Sequence, residues 1–434
     1  MFDRHAGGES AVLVHIDFRH DLSQDKNQED LSEFVELVRS AGLKVLDIVT
    51  AKRGSPDPKY FIGSGKIDEI ISIKNATDAE LIIFNHSLSP AQERNIEKEV
   101  KARVINRIGL ILDIFAQRAF TFEGKLQVEL AQLKHLSTRL VRGWTHLERQ
   151  KGGIGMRGPG ETQLETDRRL LRDRIKYIER RLDKVGKQRE QGRRSRKRAN
   201  IKTISIVGYT NAGKSTLFNL ATDSDVLAED KLFATLDPTL RRLSLPQGTD
   251  VILADTVGFI RHLPHDLVAA FRATLEESVE ANVLLHVIDA ASDRREENIE
   301  EVLKVLTQIG ADKIPMLQVF NKIDAIEGAE PRIDRDDTGK PIRVWVSALK
   351  DIGMGLLQDA IEELAMDEQL IADLKIPPSE GRLRGYLYEL SAIEEEAYSE
   401  HGDLLLKVQL PKADWVRLER KLDKDLSGYI LNSD

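Results

Sequence analysis

The chain has 434 residues, no cysteine and a formal net charge of −8, with 31% charged and 41% hydrophobic side chains. This length predicts roughly two to four domains, and no apolar run of about 18 residues indicates a membrane span. The lack of cysteine excludes disulfides and thiolate metal sites, and residues 1–9 have no apolar signal core, so we expect a cytoplasmic protein.

Residues 1–115 are predicted to form a small α/β domain. Short apolar segments alternate with amphipathic segments of helical period, and this alternation is typical of a parallel, doubly wound sheet. The predicted strands are Ala11–Phe18, Leu43–Val49, Glu80–Phe84 and Val104–Asn106, and the predicted helices are Leu31–Val38, Ile67–Ile73 and Pro90–Lys101.

A glycine-rich turn, Gly63-Ser64-Gly65-Lys66, precedes the second of these helices. The N-terminus of a helix can bind an anion through its free N–H groups. The turn lacks the four-residue spacer of a phosphate-binding loop, so we expect it to contact RNA phosphate or the protein itself. A second nucleotide site in this domain is the less favoured alternative.

Residues 116–199 are predicted to form a long antiparallel helical hairpin. Apolar residues recur at three- and four-residue steps in two segments, 124–148 and 164–185, which gives each helix one apolar stripe. The two stripes are complementary, so a shared core explains them. The stripe residues are Leu126, Leu130, Leu133, Leu140, Trp144 and Leu147 in the first helix, and Leu164, Leu171, Ile175, Ile178, Leu182 and Val185 in the second.

The tip of the predicted hairpin, residues 151–160, contains five glycines and one proline. A segment of this composition cannot hold a packed core and is predicted to be a loop. It carries the basic residues Lys151 and Arg157 and no acid. We therefore predict a contact loop, with a plain flexible connector as the alternative.

The outer face of the second helix is strongly basic. From Arg168 to Arg198 the chain has fifteen basic and four acidic side chains, a local charge of +11 that leaves −19 for the remainder. A solvated helix face usually mixes both signs, whereas such an excess is typical of phosphate binding. Because Tyr177 is the one aromatic residue there, we expect recognition of structured RNA by shape and backbone, and no DNA partner. The RNA-contact candidates at its end are Arg193, Arg194 and Arg196, and an anionic membrane surface is the weaker alternative.

Residues 200–368 carry the clearest motif in the chain. A predicted strand, Ile204–Val207, runs into Gly208-Tyr-Thr-Asn-Ala-Gly213-Lys214-Ser215 and then into a helix, the context that a phosphate-binding P-loop requires. The glycines let successive N–H groups face one anion at the start of a helix. Lys214 is predicted to reach the β- and γ-phosphates, and Ser215 is predicted to provide one Mg²⁺ ligand.

A P-loop alone leaves kinase, ATPase and GTPase open, and a later motif decides between them. A predicted strand, Ile314–Phe320, runs into Asn321-Lys322-Ile323-Asp324. A carboxylate at Asp324 can accept hydrogen bonds from guanine N1–H and the 2-amino group, and adenine lacks both donors. Asn321 is predicted to bridge toward the base edge, and the Lys322 stem is predicted to cover the ring.

Three further segments follow in the order expected of a GTPase. Val251–Ala254 leads into Asp255–Gly258, which places an acid near Mg²⁺ and then a glycine whose N–H can contact the γ-phosphate. Thr235 is predicted to complete the Mg²⁺ shell only when the γ-phosphate is present, with Thr239 as the alternative. Ser347–Leu349 follows a strand and is predicted to place backbone N–H against the guanine carbonyl.

These motifs together define the predicted nucleotide site, with GTP or GDP and Mg²⁺ as cofactors. The predicted Mg²⁺ ligands are Ser215 and Thr235. The predicted nucleotide-contacting residues are Gly208, Tyr209, Thr210, Asn211, Ala212, Gly213, Lys214, Ser215, Thr216, Phe233, Ala234, Thr235, Leu236, Asp237, Asp255, Thr256, Val257, Gly258, Asn321, Lys322, Ile323, Asp324, Ser347, Ala348 and Leu349.

The set of motifs resembles the HflX family, in the Obg–HflX group of translation-factor GTPases. The resemblance extends to Tyr60–Lys66 and Gly152–Glu161, which are similar to the family's N-terminal signatures, and is loosest after about Pro377. It implies a P-loop GTPase that presents its tip loop to RNA of the large ribosomal subunit. It also implies that the GTP state dissociates stalled or idle ribosomes, often under stress.

Two other functions stay open at the level of the sequence. A GTP-regulated RNA-binding or ribosome-assembly factor without splitting activity would need the same nucleotide site and the same basic helix. An RNA-remodelling ATPase is the weaker alternative, because Asp324 favours guanine.

The residue that follows the Asp255–Gly258 motif is Phe259, where many GTPases have glutamine. An apolar side chain cannot orient the attacking water. We therefore predict slow hydrolysis by the isolated protein and stimulation by a partner, for which the ribosome is the candidate. Arg261 and His262 lie nearby, but we expect ordinary salt-bridge and surface roles for them and assign no catalytic residue.

Residues 378–434 are predicted to form a small α+β domain without recognisable chemistry. We expect strands at Leu383–Leu390 and Leu404–Leu410 and a helix at Lys412–Leu422. A linker at Ala372–Pro378, stiffened by two prolines, precedes them. Nothing in the sequence requires a dimer, and we expect a monomer.

Overall fold

The computed structural model describes residues 10–18, 24–143, 159–198, 201–222, 232–261, 272–365, 369–390, 392–399, 402–422 and 424–433. The chain divides into two compact units, Met1–Ala360 and Ile361–Asp434. In the described ranges, no helix combines the length and the apolar character that crossing a membrane requires.

The first sheet has four parallel strands in the order β2-β1-β3-β4. Side chains on its two faces alternate between two cores: Leu13 and Ile83 pack in one, and Val12 and Ile82 pack in the other. This architecture confirms the predicted doubly wound α/β fold. The elements are β1 (Ser10–Phe18), α1 (Gln24–Ser40), β2 (Lys44–Arg53), α2 (Ser64–Thr77), β3 (Leu81–Phe84), α3 (Pro90–Val100) and β4 (Arg103–Asn106).

Local sequence explains how two of these helices begin. Ser89 and Gln92 form a reciprocal capping box at the start of α3, and Pro90 occupies its first turn. Gly63 precedes α2, and the Lys66 ammonium pairs with Glu69 of the same helix at 2.7 Å. A contact between the Gly63–Lys66 turn and RNA stays a prediction.

Three helices follow the first sheet: α4 (Arg107–Arg118), α5 (Phe122–Gly143) and α6 (Pro159–Arg198). Helices α5 and α6 run antiparallel, since Glu123 pairs with Arg189 and Lys134 pairs with Glu179. Their contact confirms the predicted shared stripe, which contains Leu126, Leu130, Leu133, Ile175, Ile178 and Leu182.

The described part of the hairpin corrects the predicted tip loop. Pro159 and Gly160 are not loop residues but the first two residues of α6, because proline is favoured where the helical N–H needs no partner. Residues 151–158, with Lys151 and Arg157, lie outside the described residues, as do Trp144, Leu147 and the side chains of Leu140 and Leu164. The backbone of Arg193, Arg194 and Arg196 belongs to α6.

The second sheet has seven strands in the order β10-β11-β9-β8-β5-β7-β6. Its five central strands are parallel, and the edge strands β6 and β10 pair antiparallel to their neighbours. Parallel strands end at one edge, so Gly208, Asp255 and Asn321 meet there. The elements are β5 (Lys202–Gly208), α7 (Lys214–Thr222), β6 (Thr239–Ser244), β7 (Asp250–Asp255), α8 (Arg272–Val279), β8 (Val283–Asp289), α9 (Arg295–Ile309), β9 (Met316–Asn321), β10 (Arg332–Arg335), β11 (Pro341–Trp345) and α10 (Met354–Ala365).

The C-terminal unit contains a four-stranded antiparallel sheet in the order β13-β14-β12-β15, with two helices. The predicted strand at Leu404–Leu410 and the predicted helix at Lys412–Leu422 are confirmed. The elements are β12 (Gln369–Ile376), α11 (Gly381–Glu389), β13 (Ile393–Tyr398), β14 (Leu404–Pro411), α12 (Lys412–Leu422) and β15 (Ile430–Ser433).

Two predictions for this unit are wrong. The linker expected at Ala372–Pro378 is largely the inner strand β12, in which every second residue from Leu370 to Ile376 is buried, so the domain begins before residue 378. The strand expected at Leu383–Leu390 is helix α11, which buries Leu383 and Leu387 at helical spacing.

Candidate functional site

The P-loop connects β5 to α7 through two glycines at which any side chain would be strained. Gly208 and Gly213 have φ angles of 152° and 91°, in the region that glycine favours. A Cβ atom at Gly208 would lie 2.3 Å from the Val287 carbonyl oxygen, and one at Gly213 would lie 2.2 Å from Asn321 Nδ2. This close approach brings the loop and the base-binding motif together.

A cavity of ≈ 440 Å³ lies at this edge of the sheet, and most of the predicted site residues surround it. Ala325 also lines the cavity, although the sequence motif ends one residue before it. The predicted residues that line it are Thr210, Asn211, Gly213, Lys214, Ser215, Thr216, Phe233, Ala234, Thr235, Thr256, Gly258, Asn321, Lys322, Asp324 and Leu349.

The remaining predicted residues do not line the cavity, and two of them hold side chains that do. Asp255 holds two hydroxyls that do line it, and Ser347 holds Asp324. The residues outside the lining are Gly208, Tyr209, Ala212, Leu236, Asp237, Asp255, Val257, Ile323, Ser347 and Ala348.

Lys214 is almost completely buried beneath the P-loop. Its ammonium donates a hydrogen bond to the Tyr209 carbonyl oxygen at 2.7 Å. Burial lowers the pKa of Lys214 to about 8, although the nearby Asp255 carboxylate opposes this effect. An anionic phosphate in the cavity would favour the charged form of the lysine.

Three oxygen-bearing side chains converge at one side of the cavity. The Ser215 hydroxyl lies 2.8 Å from Thr235 Oγ1 and 2.8 Å from Asp255 Oδ2, and Thr235 Oγ1 lies 2.9 Å from the same carboxylate oxygen. The other oxygen of Asp255 is buried without a hydrogen-bond partner, and burial raises the pKa of this carboxyl group. Two hydroxyls beside a buried carboxylate are a donor set that fits Mg²⁺. Thr239, the alternative ligand, begins strand β6 and does not line the cavity.

The base-binding end of the cavity is held by a buried asparagine and an oriented carboxylate. Asn321 donates to the Ala212 carbonyl oxygen and accepts from the Ala348 N–H, each at 2.9 Å, so it ties the P-loop to the last motif. The Ser347 hydroxyl donates to Asp324 at 2.5 Å, which fixes the carboxylate that is predicted to recognise the base.

Lys322 has a partner that the sequence motif does not include. Its ammonium pairs with Asp289 at the end of β8, at 2.8 Å. This pair holds the lysine stem along the cavity wall, where it is predicted to cover the guanine ring. Asp289 is the last residue of the buried strand β8. The sequence indicates this position, but it does not indicate that Lys322 is the partner.

Asp237 does not face the cavity, contrary to expectation. Its carboxylate accepts hydrogen bonds from residues Phe120 and Thr121 just before α5. Thr121 caps α5 through its hydroxyl oxygen, which accepts from the Gly124 N–H, and the Asp237 carboxylate accepts from the two N–H groups that precede the helix. Leu236 is likewise buried in the apolar core instead of lining the site.

The nucleotide site also has contacts with helices α1 and α4 that sequence motifs do not indicate. The Tyr209 hydroxyl of the P-loop donates to Glu33 of α1 and accepts from the Arg261 N–H at 3.0 Å. Arg107 of α4 donates to Glu33 at 2.6 Å and to the Arg261 carbonyl oxygen at 3.2 Å. The segment after Gly258 is therefore fixed to residues far away in the sequence.

Phe259 and Arg261 are both held inside the structure. The Phe259 side chain is buried in the apolar core and does not line the cavity. The Arg261 guanidinium pairs with Glu297 at 2.7 Å and with Asp30 at 3.4 Å, which confirms its predicted salt-bridge role. His262 lies outside the described residues.

Replacing Thr235 by alanine is expected to weaken binding of a GTP analogue about tenfold, because one oxygen ligand beside the γ-phosphate is lost. GDP affinity should change little. Titration with fluorescent nucleotides in the presence of Mg²⁺ measures both affinities. Thr239→Ala is the matched control and should keep both, and equal losses for GTP analogue and GDP in Thr235→Ala would contradict the assignment.

Three family models match consecutive parts of the chain. They are described as GTP-binding GTPase N-terminal at residues 28–116, GTP-binding GTPase Middle Region at 118–196, and 50S ribosome-binding GTPase at 203–322. GTPase HflX of Escherichia coli strain K12 is 61% identical over 431 residues, with 99% of this chain and 100% of that protein covered. The chain belongs to the HflX family of GTPases.

Other HflX proteins and one solved structure are also similar. GTPase HflX of Caldanaerobacter subterraneus subsp. tengcongensis is 46% identical over 394 residues, with 91% of this chain and 89% of that protein covered. A GTP-binding protein of Sulfolobus solfataricus, crystallised with GDP, is 27% identical with a TM-score of 0.44, and 82% of this chain and 98% of that chain are covered. As a member of the HflX family, the protein is a GTP hydrolase that converts GTP to GDP and phosphate.

Proposed function

We propose that this HflX-family GTPase binds the large ribosomal subunit through its basic hairpin and, in the GTP state, dissociates stalled or idle ribosomes. The observation that carries the proposal is the charge of α6, +11 between Arg168 and Arg198, in the same compact unit as the guanine-nucleotide site. The 50S ribosome-binding description of the family model that matches residues 203–322 supports a ribosomal partner. That partner would place the protein in the cytoplasm.

The basic face of α6 has a groove suited to phosphate. The groove is open to solvent and has a volume of ≈ 410 Å³, and four basic side chains border it beside the exposed ring of Tyr177 and one acid, Asp183. Closely spaced guanidinium and ammonium groups bind the phosphates of structured RNA without reading its bases. The basic residues of the groove are Arg180, Arg181, Lys184 and Lys187.

The nucleotide is proposed to be GTP or GDP with one Mg²⁺. When bound, Mg²⁺ supplies neutralisation of charge on the β- and γ-phosphates. Ser215 and Thr235 would hold the ion directly, and the buried Asp255 carboxylate would orient both hydroxyls. Because Thr235 belongs to the 233–239 segment, loss of the γ-phosphate would release that segment and change the affinity of the hairpin for RNA.

Hydrolysis is proposed to be slow until the ribosome completes the site. Phe259 is buried at the position where many GTPases place glutamine, and Arg261 is held by ion pairs, so neither side chain orients water. Steady-state turnover should rise at least about tenfold when purified large subunits are added. Equal turnover with and without subunits would contradict this part of the proposal.

Charge reversal in the basic tract of α6, Arg168–Arg198, tests the RNA contact. The double variant Arg193→Glu/Arg194→Glu should lower affinity for large subunits on the order of tenfold to a hundredfold and reduce its dependence on salt. GTP hydrolysis by the isolated protein should not change. The control is Lys313→Glu/Lys340→Glu, which reverses two exposed charges of the GTP-binding domain, and equal loss in both double variants would contradict a specific role of α6.

The second candidate is a GTP-regulated RNA-binding or ribosome-assembly factor that never splits ribosomes. The groove on α6 favours it equally, because phosphate binding alone does not require dissociation of subunits. Binding to large subunits without loss of intact ribosomes would support this second function.

A further inference from the structure

We propose that Asp237 couples the nucleotide site to the helical hairpin by anchoring the 233–239 segment on the first turn of α5. Asp237 is a positioning residue, since its carboxylate lies outside the nucleotide cavity while Thr235, two residues earlier, lines it. The inference rests on the proposed function where it concerns the ribosome, because the hairpin is the proposed RNA-binding element.

The carboxylate of Asp237, from a distant part of the chain, holds the two residues that directly precede α5. Its Oδ2 accepts from the N–H groups of Phe120 and Thr121 at 2.9 and 2.8 Å, and its Oδ1 accepts from the Thr121 hydroxyl at 2.6 Å. Thr121 Oγ1 in turn accepts from the Gly124 N–H at 2.9 Å. Negative charge is favourable at a helix N-terminus, so these contacts stabilise the helix and the segment together.

Gly124 is required by this contact. It lies within α5, where alanine would otherwise be the better helix former. A Cβ atom at this position would lie 2.0 Å from Asp237 Oδ1. The atom that would have to move is the end of a side chain, so Gly124→Ala is expected to keep the helix and displace the carboxylate.

Residues Leu232 and Phe233, which precede Thr235, also contact helices α1 and α4. The Phe233 ring packs edge-on against Phe115 of α4 with centroids 4.7 Å apart, and Phe233 has a φ of 57°, which is unfavourable for a bulky residue. The Leu232 N–H donates to the Ser40 hydroxyl of α1 at 3.1 Å. Thr235 is therefore held toward Ser215 by contacts on both sides of it along the chain.

The same turn of α5 contacts the basic helix. Glu123 is buried, pairs with Arg189 of α6 at 2.9 Å, and accepts from Gln127 at 3.0 Å. Arg189 belongs to the basic tract. The start of α5 thus contacts the 233–239 segment on one side and α6 on the other. These contacts connect the nucleotide site directly to the proposed RNA-binding helix.

We expect two states of this contact. With the γ-phosphate present, Thr235 is held, Asp237 holds Phe120 and Thr121, and the hairpin base is ordered. With GDP, the segment is released, and the N–H groups of Phe120 and Thr121 lose their acceptor. Release of the segment would therefore loosen the end of α5 that Glu123 connects to Arg189.

Hydrogen exchange of the full-length protein tests the coupling without ribosomes. In wild type, the amides of Phe120 and Thr121 should exchange on the order of tenfold more slowly with a GTP analogue than with GDP. This difference should vanish in Asp237→Ala and in Gly124→Ala, and it should persist in Asp312→Asn, which alters an exposed carboxylate after α9. Equal exchange in the two nucleotide states of wild type, or a difference retained in both test variants, overturns the proposal.

A second measurement separates coupling from folding. GDP affinity should stay at the wild-type value in Asp237→Ala and Gly124→Ala, because the P-loop and base contacts are untouched. The ratio of large-subunit affinities with GTP analogue and with GDP should be on the order of tenfold in wild type and approach one in these variants. Thr121→Ser should keep the ratio, and Thr121→Ala should lower it.

The two measurements fail in distinguishable ways. If wild type binds no large subunits in any nucleotide state, the proposed function is wrong, while hydrogen exchange still decides the role of Asp237. If wild type shows the affinity ratio and both test variants retain it, the proposed function survives and the coupling through Asp237 is overturned.

Discussion

Lys214→Ala is expected to lower the affinity for both GTP and GDP on the order of a hundredfold and to abolish measurable hydrolysis. The ammonium is buried under the P-loop, where charge-assisted hydrogen bonds to phosphate are strong because little water competes with them. Loss of such contacts weakens binding of both nucleotides, since both carry a β-phosphate. Titration with fluorescent nucleotides and a phosphate-release assay measure the two effects.

The matched control is Lys313→Ala, which removes an exposed ammonium of the same domain. It should bind nucleotides as wild type does. In Lys214→Ala the buried Asp255 loses a neighbouring positive charge, which could destabilise the fold. Thermal unfolding without nucleotide shows whether the variant is folded. A folded variant that keeps GTP affinity within about threefold of wild type would contradict the role assigned to Lys214.

Asp324→Asn is expected to change the base preference of the site from guanine to xanthine. The Ser347 hydroxyl can still donate to the side-chain oxygen at residue 324, so the new amide should keep its position. An amide donates where a carboxylate only accepts, so it should repel the guanine 2-amino group and favour the xanthine carbonyl. GTP affinity should fall on the order of a hundredfold and xanthosine triphosphate affinity should rise.

The change is measured by letting GTP or xanthosine triphosphate compete with a fluorescent nucleotide for the site. Asp337→Asn, in the turn between β10 and β11, is the control and should keep the guanine preference. If Asp324→Asn still prefers GTP as wild type does, the argument for base recognition is wrong.

Local motifs predicted most of the residues that line the cavity, because each motif depends on a short local context at the end of a strand. The glycines at 208 and 213 and the residues Asn321 and Asp324 follow strands whose parallel arrangement brings their ends to one edge. The fold class of the first sheet was predictable for the same reason, since alternating strands and helices dictate a parallel sheet.

Contacts between distant segments were not predictable from local pattern. Asp237 belongs to a recognisable motif, yet its carboxylate binds Thr121, 116 residues earlier in the chain. The Tyr209 hydroxyl likewise meets Glu33 across 176 residues. In the C-terminal unit, two prolines after Ile376 suggested a linker and obscured the alternation of buried residues in β12.

Sedimentation of intact ribosomes with this protein tests the central proposal most directly. Samples contain a GTP analogue, GDP or no nucleotide, and protein and ribosomal particles are followed across the gradient. We expect that the protein migrates with the large subunit and that intact ribosomes are lost with the GTP analogue alone. Intact ribosomes that persist with bound protein, or the absence of binding in all three samples, would contradict a GTP-dependent splitting factor.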